Sequence, residues 1–274
     1  MENNNCRIII GTHLYSRSIN GFNCLEASFN KDIIIKAADM SMTYLVPSLK
    51  NQTDSNFEHF TIIHNKAPKN ILQVYADKLD SINFKTTLIR YNDWEPFLKE
   101  SIKDCGYNVV ISRIDYDDCV HKKAIETIKN KIQANKTIIY GWTNGLRYRL
   151  NSGCIREYIP RYELQGHMSI LQSCLIGHNS IEYPIIFNPY KWDHSNVKKF
   201  LLENDISEQE ISNIILNGNA DLNYEPAYIW IRHKDAACTM INASFDKDHL
   251  YKNVSSQIND SFINDRFGIS LIGK

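Results

Sequence analysis

Residues 108–118 read Asn-Val-Val-Ile-Ser-Arg-Ile-Asp-Tyr-Asp-Asp, an apolar β-branched run that ends in three carboxylates. The first seven of these residues, 108–114, predict a buried strand. A strand that is apolar on both faces is typical of a parallel sheet with helices packed against each side. The acidic residues follow where such a strand would end.

The sequence on both sides of this run alternates strand patterns with helix patterns. β-rich runs occupy 7–10, 60–64 and 85–91, and apolar residues at helical spacing occupy 42–49, 68–79, 93–105 and 120–132. This alternation predicts an α/β fold with a mostly parallel central sheet flanked by helices. Ligands of such sheets bind at the carboxyl ends of the strands, so we expect the chemistry in the loop after 108–114.

Two of the predicted helices carry local signals at their ends. Pro47 is expected to kink or restart the helix over 42–49, because proline has no backbone N–H to donate. Asp93 is expected to cap the N-terminus of the helix over 93–105, and Gly106 to follow its end.

The second half of the chain has a different pattern. Short strand-like runs at 137–142, 146–150 and 154–159 are separated by glycine and asparagine turns and predict a mixed-sheet C-terminal extension. A capping box over 206–211 predicts a helix that ends at Gly218. A late strand is expected at 228–231, and no low-complexity linker or repeat divides the chain, which predicts a single domain.

Charge and composition exclude several classes of protein. The 274-residue chain has 31 basic and 31 acidic side chains, whereas proteins that bind nucleic acid through its phosphates usually carry a cationic excess, so we expect no nucleic-acid partner. No run approaches the ~18 apolar residues of a membrane-spanning helix, which leaves at most peripheral membrane contact. The first residues lack a signal-peptide pattern, and the seven scattered cysteines contain no C-x-x-C pair. These features predict a cytoplasmic protein with reduced cysteines.

The acidic run Asp115, Asp117 and Asp118 is the sharpest chemical feature. Three carboxylates within four positions repel one another unless a cation or solvent relieves them. Carboxylate oxygens are preferred ligands of Mg²⁺ and Mn²⁺, and Mg²⁺ often shares its ligands with substrate phosphates. The alternative is an acidic turn that caps the following helix. Val120 does not fit the glycine of an EF-hand loop, and Cys119 does not fit the aspartyl-phosphatase pattern.

Arginines and histidines supply further candidates. Arg113 and Arg17 could pair with a diphosphate, although each could equally lie at the surface or in a buried ion pair. His167 and His233 could ligate a metal or act as a general base, although lone histidines are more often ordinary polar residues.

Other side chains are individually weaker candidates. Glu163, Asp221 and Glu225 could act as a general base. Six aromatic residues could stack on sugar rings, but most of them are expected to fill the core: Tyr140, Trp142, Tyr148, Tyr158, Tyr162 and Trp192.

Three segments resemble motifs of the rhamnosyltransferase family, in the family's order and spacing. Residues 44–57 resemble its "PSL-x-x-QT…F" segment, residues 112–118 resemble its "R-x-D-x-DD" segment, and residues 16–20 resemble its early Arg-x-x-Asn stretch. The resemblance covers about residues 7–135, roughly half of the chain. It implies a glycosyltransferase with a single GT-A-like nucleotide-sugar domain, in which about 1–135 bind the donor and about 136–274 bind the acceptor.

The resemblance also implies roles for individual residues. Asp117 would contact the ribose or the sugar, Asp118 would hold Mn²⁺ or Mg²⁺, Asp115 would support them, and Arg113 would contact the donor. Arg17 is a further donor-binding candidate. His233, at the place of the family's late histidine, would be a further metal ligand, although Lys-Asp-Ala-Ala follows it where the family has glycines.

These observations lead to one leading hypothesis and two alternatives. The chain is expected to be a metal-dependent glycosyltransferase that moves a sugar, with rhamnose as one candidate, from a nucleoside diphosphate-sugar to a glycan or lipid-linked saccharide acceptor. Glu163 or His167 is expected to serve as its general base, at a cytoplasmic location that could include the inner face of a membrane. A sugar nucleotidyltransferase is one alternative, although residues 11–17 contain only one glycine for a phosphate loop. A non-catalytic glycan-binding module is the other.

Overall fold

The computed structural model describes most of the two predicted halves of the chain. The described residues are 6–14, 31–103, 108–150, 152–160, 172–177, 188–189, 197–232, 249–253 and 255–271.

Strands and helices alternate through the first half of the chain and mix with shorter strands afterwards. The strands are β1 (Cys6–Leu14), β2 (Glu58–Ile63), β3 (Thr87–Arg90), β4 (Asn108–Asp115), β5 (Cys119–Val120), β6 (Thr137–Gly141), β7 (Gly145–Arg149), β8 (Cys154–Pro160), β9 (Gln172–Ile176), β10 (Ile215–Asn217), β11 (Tyr228–Arg232) and β12 (His249–Asn253). The helices are α1 (Lys31–Met40), α2 (Val46–Lys50), α3 (Lys69–Ser81), α4 (Tyr91–Lys103), α5 (Ala124–Lys129), α6 (Val197–Leu202), α7 (Glu208–Ile214) and α8 (Asp260–Phe267).

The central sheet confirms the predicted α/β class. Its seven strands lie in the order β10-β6-β9-β4-β1-β2-β3. All neighbouring pairs are parallel except the two that involve β9, which runs antiparallel to both β4 and β6. The carboxyl ends of β1, β2, β3, β4 and β6 therefore meet at one edge of the sheet.

Helices cover both faces of this sheet, as the apolar run of β4 predicts. One core cluster joins α1, α2, α3 and α5 to Ile8, Ile10 and Val110. The other joins α4, α6 and α7 to Ile9 and Ile111. Successive residues of β1 and β4 thus point to opposite faces, and both faces are buried.

A second sheet forms the predicted mixed extension, with one correction to its membership. It has the order β12-β8-β7-β11-β5, with β7 and β11 parallel and the other pairs antiparallel. The predicted strand over 137–142 is not part of it, because β6 pairs with β9 and β10 in the central sheet. Helix α8 covers one face of the second sheet through Ile263 and Phe267.

The chain accommodates Pro47 by restarting the helix, as predicted. A single π-helical turn, Ser41–Leu45, separates α1 from α2 and places Pro47 in the first turn of α2. A proline is tolerated there because the first N–H groups of a helix have no partner within it. Leu45, Val46 and Leu49 are all buried on the sheet side.

Two predicted helix ends are wrong. Helix α4 begins at Tyr91 rather than after Asp93, because the side chain of Asn65, from the loop after β2, accepts a 3.0 Å hydrogen bond from the backbone N–H of Asn92. Helix α7 has the predicted capping box of Ser207 and Glu210, but it ends at Ile214, and Gly218 follows the short strand β10 instead.

Two expectations from composition can be compared with the described residues. The four cysteines within them, Cys6, Cys119, Cys154 and Cys174, are free thiols, as predicted. No helix in these ranges is both long and apolar enough to cross a bilayer.

Candidate active site

The carboxyl ends of β1 and β4 bring a small polar group together. The two strands are parallel neighbours, with His13 opposite Asp115 and Gly11 opposite Arg113. The sequence prediction placed Arg113 and Asp115 at this edge, and the structure confirms that location.

Arg113 and Asp115, both in β4, form an ion pair. Arg113 is 2% exposed, and its Nη2 lies 3.5 Å from Oδ1 of Asp115, which is 34% exposed at its side chain. Of the two alternatives that the sequence left open for Arg113, a buried ion pair is therefore present. A buried guanidinium beside Asp115 fixes the direction of that carboxylate.

His13 was not recognised as a site residue from the sequence. Burial, followed by the charge of Arg113, lowers its pKa to about 3, so the imidazole is neutral. Its ring meets Tyr91 edge-on at 5.7 Å, and Tyr91 is the first residue of α4. The sequence did contain one signal for His13, its position next to the end of the first predicted strand. The carboxyl ends of the strands were already the predicted location of the site.

The three aspartates differ sharply in exposure. The side chain of Asp115, at the end of β4, is 34% exposed, whereas Asp117 and Asp118 are 8% and 2% exposed. The backbone N–H of Asp118 donates a 3.4 Å hydrogen bond to the carbonyl of Asp115, which forms a tight turn. The backbone N–H of Ile231, in β11, donates a 3.2 Å hydrogen bond to Asp118 Oδ1.

The helix-cap alternative for this turn is wrong. The residues that follow it, Cys119 and Val120, form β5 and pair with β11. Helix α5 begins only at Ala124, after Lys123, so neither Asp117 nor Asp118 lies at its N-terminus. The predicted helix over 120–132 is shorter for the same reason.

The donor set of the turn suits a hard divalent ion. Asp117 and Asp118 offer carboxylate oxygens, which are the ligands that such ions prefer. The described residues contain no group of three or more potential ligands. Mg²⁺ is commonly held by one or two carboxylates together with substrate phosphates and water, so a two-aspartate site fits this chemistry.

A second polar cluster holds the segment after the turn. Arg266 of α8 makes two hydrogen bonds to Glu225, at 2.6 and 3.0 Å, and His121 Nε2 lies 3.0 Å from the same carboxylate. The Arg266 guanidinium, with the His121 hydrogen bond, holds the pKa of Glu225 below its usual range. Glu225 therefore ties α8 to the residue directly after β5.

The two general-base candidates that the structure describes are both engaged in ion pairs. Glu225 binds Arg266 and His121, as described above. Asp221 accepts a 2.7 Å hydrogen bond from the hydroxyl of Tyr140 and pairs with Lys131 at 2.7 Å. Neither carboxylate is placed as a free base, because both are already neutralised by cations.

The remaining predicted residues divide into two groups. Arg17, Glu163, His167 and His233 lie outside the described residues, as do Tyr162, Trp192 and the side chain of Tyr158. Tyr140, Trp142 and Tyr148 are buried in the core, as expected of most of the aromatic residues.

Comparison with known proteins identifies the family. A family model described as "Putative rhamnosyl transferase" matches residues 37–179, which is 143 of 274 residues and includes the acidic turn. The chain belongs to this family. No curated protein matches the sequence.

Solved structures with a similar arrangement include three of TarS from S. aureus, each of residues 1–349. The structure with UDP-GlcNAc has a TM-score of 0.40 and 10% identity and covers 86% of this chain. The structures with UDP and without ligand each have a TM-score of 0.37 and 11% identity and cover 83% and 82%. This chain spans 60–62% of the length of the TarS chains.

Proposed function

We propose that this member of the rhamnosyl transferase family is a metal-dependent glycosyltransferase that moves a sugar from a nucleoside diphosphate-sugar to a glycan acceptor. The observation that carries the proposal is the acidic turn, Asp115 to Asp118, with Asp117 and Asp118 buried, at the carboxyl edge of the sheet and inside the matched region. Family membership supports sugar transfer, and rhamnose is the candidate sugar that the family's description suggests.

The proposed roles follow from exposure and contacts. Asp117 and Asp118 hold Mn²⁺ or Mg²⁺, which when bound neutralises charge on the departing nucleoside diphosphate. Asp115, the most exposed of the three, contacts the donor, and the buried guanidinium of Arg113 orients the Asp115 carboxylate. The neutral His13 lies beside them and can offer a hydrogen bond without adding charge.

Glu163 and His167 stay our candidates for the general base. An inverting transfer needs a group that takes the proton of the acceptor hydroxyl. Asp221 and Glu225 are poor choices because Lys131 and Arg266 already neutralise them.

The test is turnover of a panel of nucleoside diphosphate-sugars, including dTDP-rhamnose, with Mn²⁺ or with EDTA. Release of nucleoside diphosphate should require the metal, and Asp117→Asn should lose at least about tenfold in rate, since charge compensation at the diphosphate is lost. Asp80→Asn, an exposed position on α3, is the matched control and should turn over like the wild type. Turnover that is unchanged by EDTA and by Asp117→Asn would refute the proposal.

A further inference from the structure

Residues 44–53, which include α2, lie beside the strand that leaves the acidic turn. That strand, β5, follows Asp118 directly, and among the described strands it pairs with β11 alone. It has two residues, fewer than most strands, so its pairing with β11 is a short ladder. The other edge of β5 faces residues 44–53, which we call the motif segment.

Two residues of the motif segment contact β5 itself. The thiol of Cys119 donates a 3.4 Å hydrogen bond to the backbone carbonyl of Tyr44, in the π-helical turn. The backbone N–H of Val120 donates a 3.4 Å hydrogen bond to the hydroxyl of Ser48, which is fully buried. Side chains and carbonyls of the motif segment thus take the place of a neighbouring strand at this edge.

Gln52 makes the shortest of these contacts. Its Nε2 donates 3.0 Å hydrogen bonds to the carbonyls of Ser48 and His121, and its Oε1 accepts a 3.1 Å hydrogen bond from the backbone N–H of Ile125 in α5. Gln52 is 7% exposed, and burial of an amide group costs free energy unless it is hydrogen-bonded. An apolar side chain would fill the same space without that cost, so the role of Gln52 lies in the backbone groups that it joins.

Thr53 continues these contacts beyond β5. Its backbone N–H and its hydroxyl donate hydrogen bonds of 2.8 and 3.2 Å to the carbonyl of Lys122. The N–H of Lys122 donates a 2.7 Å hydrogen bond to the carbonyl of Arg266 in α8. The chain that leaves the acidic turn is therefore bound by the motif segment and by α8.

The acidic turn lies between one firmly paired strand and one short strand. β4, which enters the turn at Asp115, is paired along both edges, with β1 and β9. β5, which leaves it, depends on β11 and on the motif segment. A shift of β5 would therefore move Asp117 and Asp118 relative to Asp115. Mg²⁺ requires near-ideal octahedral geometry with ligand oxygens at about 2.1 Å, so its affinity is sensitive to such a shift.

We infer that Ser48 and Gln52 are positioning residues of the proposed metal site, because through β5 they set where Asp117 and Asp118 lie. This inference rests on the proposed function, which assigns the metal to these two aspartates. Ser48 and Gln52 belong to the stretch 44–57 that resembles a family motif, and the proposed roles in metal and donor binding do not include it. They act through the backbone of β5 rather than by contact with the donor.

The experiment measures hydrogen exchange of single backbone N–H groups in the full chain without metal. The N–H of Asp118 donates to the carbonyl of Asp115, and the N–H of Ile231 donates to the Asp118 carboxylate, so both report on the turn. Gln52→Met keeps a side chain of similar volume but removes the three hydrogen bonds. Both N–H groups should then exchange at least about tenfold faster than in the wild type, because the turn opens more easily.

Ser48→Ala is the second and milder variant. It removes the hydroxyl that accepts the hydrogen bond from Val120. The same two N–H groups should exchange faster by a smaller factor, because that bond is longer than those of Gln52. This variant decides the inference if Gln52→Met does not fold.

Thr86→Val is the matched control. It removes a hydroxyl that contacts His59 at 2.8 Å and Thr61 at 3.1 Å, beside β3, which lies three strands from β4. It should lower the free energy of unfolding but leave exchange at the turn within about twofold of the wild type, because sites without shared partners act nearly independently. Equal acceleration in this control, or no acceleration in either motif-segment variant, would overturn the inference.

Mn²⁺ affinity relates the position of the turn to the metal. In calorimetry with UDP, dTDP or GDP, Gln52→Met should bind Mn²⁺ about tenfold more weakly, the low end of the loss expected when a supporting contact of a metal site is removed. Thr86→Val should bind it like the wild type. Faster exchange with unchanged Mn²⁺ affinity in Gln52→Met would overturn the positioning role. If the wild type binds no Mn²⁺, the proposed function fails, while the exchange rates still decide whether the motif segment sets the turn.

Discussion

Asp118 accepts a hydrogen bond from the backbone N–H of Ile231, 113 positions later in the chain. The bond is 3.2 Å long, and Asp118 is 2% exposed. It joins the acidic turn of the central sheet to β11 of the second sheet. The proposed metal ligand is thus also a structural link between the two sheets.

Substitution of Asp118 can separate these two roles. Asp118→Asn keeps an oxygen for the Ile231 N–H, whereas Asp118→Ala leaves that buried donor without its acceptor. We expect the alanine variant to lose about 1–3 kcal/mol in free energy of unfolding and the asparagine variant to lose clearly less. Urea denaturation measures both values.

Mn²⁺ affinity supplies the other half of this test. A ligand carboxylate is needed for its charge, so both Asp118 variants should bind Mn²⁺ with nucleoside diphosphate more weakly than the wild type. If the asparagine variant binds the metal normally, Asp118 is a structural residue alone.

Glu225 should contribute to stability more than an ordinary surface carboxylate. It accepts two hydrogen bonds from Arg266 and contacts His121, so Glu225→Ala should lower the free energy of unfolding by about 1–3 kcal/mol. Glu203→Ala removes an exposed ion pair with Lys199 and should cost less than about 0.5 kcal/mol. Equal effects in urea denaturation would argue against the Glu225 cluster.

His59 predicts how stability depends on pH. Its nitrogens contact the hydroxyls of Thr12 and Thr86 at 3.0 and 2.8 Å, and burial lowers its pKa to about 3. Between pH ~3 and ~6.5 the unfolded chain therefore binds a proton at this histidine that the folded chain does not. The stability that the neutral His59 contributes is fully present above pH ~6.5 and is lost as the pH falls.

The His59→Gln variant tests this dependence. Each such histidine adds a slope approaching about 1.4 kcal/mol per pH unit to the free energy of unfolding in that window. The variant should lower the slope by about that amount, while His13 still supplies its own contribution. An unchanged slope in denaturation series at pH 4, 5 and 6 would mean that His59 is not neutral in the fold.

Local sequence was sufficient for the elements that local physics determines. The β-branched run before Asp115 predicted β4, because such residues pack well in a strand covered on both faces. Ser207 and Glu210 predicted the start of α7, because a capping box satisfies helix N–H groups within four residues.

Contacts between distant segments could not be predicted in this way. The side chain of Asn65, rather than that of Asp93, accepts a hydrogen bond from the backbone at the start of α4, because the loop after β2 approaches that helix. Asp118 reaches Ile231 only because β5 pairs with β11. Nothing in the residues around either position indicates its partner.

The second sheet shows the same division. Arg147 and Arg149 alternate visibly in β7, so a common side for both could be predicted from period-two spacing. The location of Arg156 and Trp230 on the same side of the sheet as Arg147 depends on the register of three strands. Such registers follow from the burial of Leu146 and Ile229 under α8, which only the folded chain reveals.

The central claim is that the acidic turn binds a nucleoside diphosphate through a divalent cation. Calorimetric titration of the wild type with UDP, dTDP and GDP, each with Mn²⁺ and each with EDTA, tests it most directly. The account predicts binding of at least one of them that requires Mn²⁺ and that Asp117→Asn weakens while Asp80→Asn does not. Binding that is equally strong in EDTA, or no binding of any of the three with Mn²⁺, would contradict it.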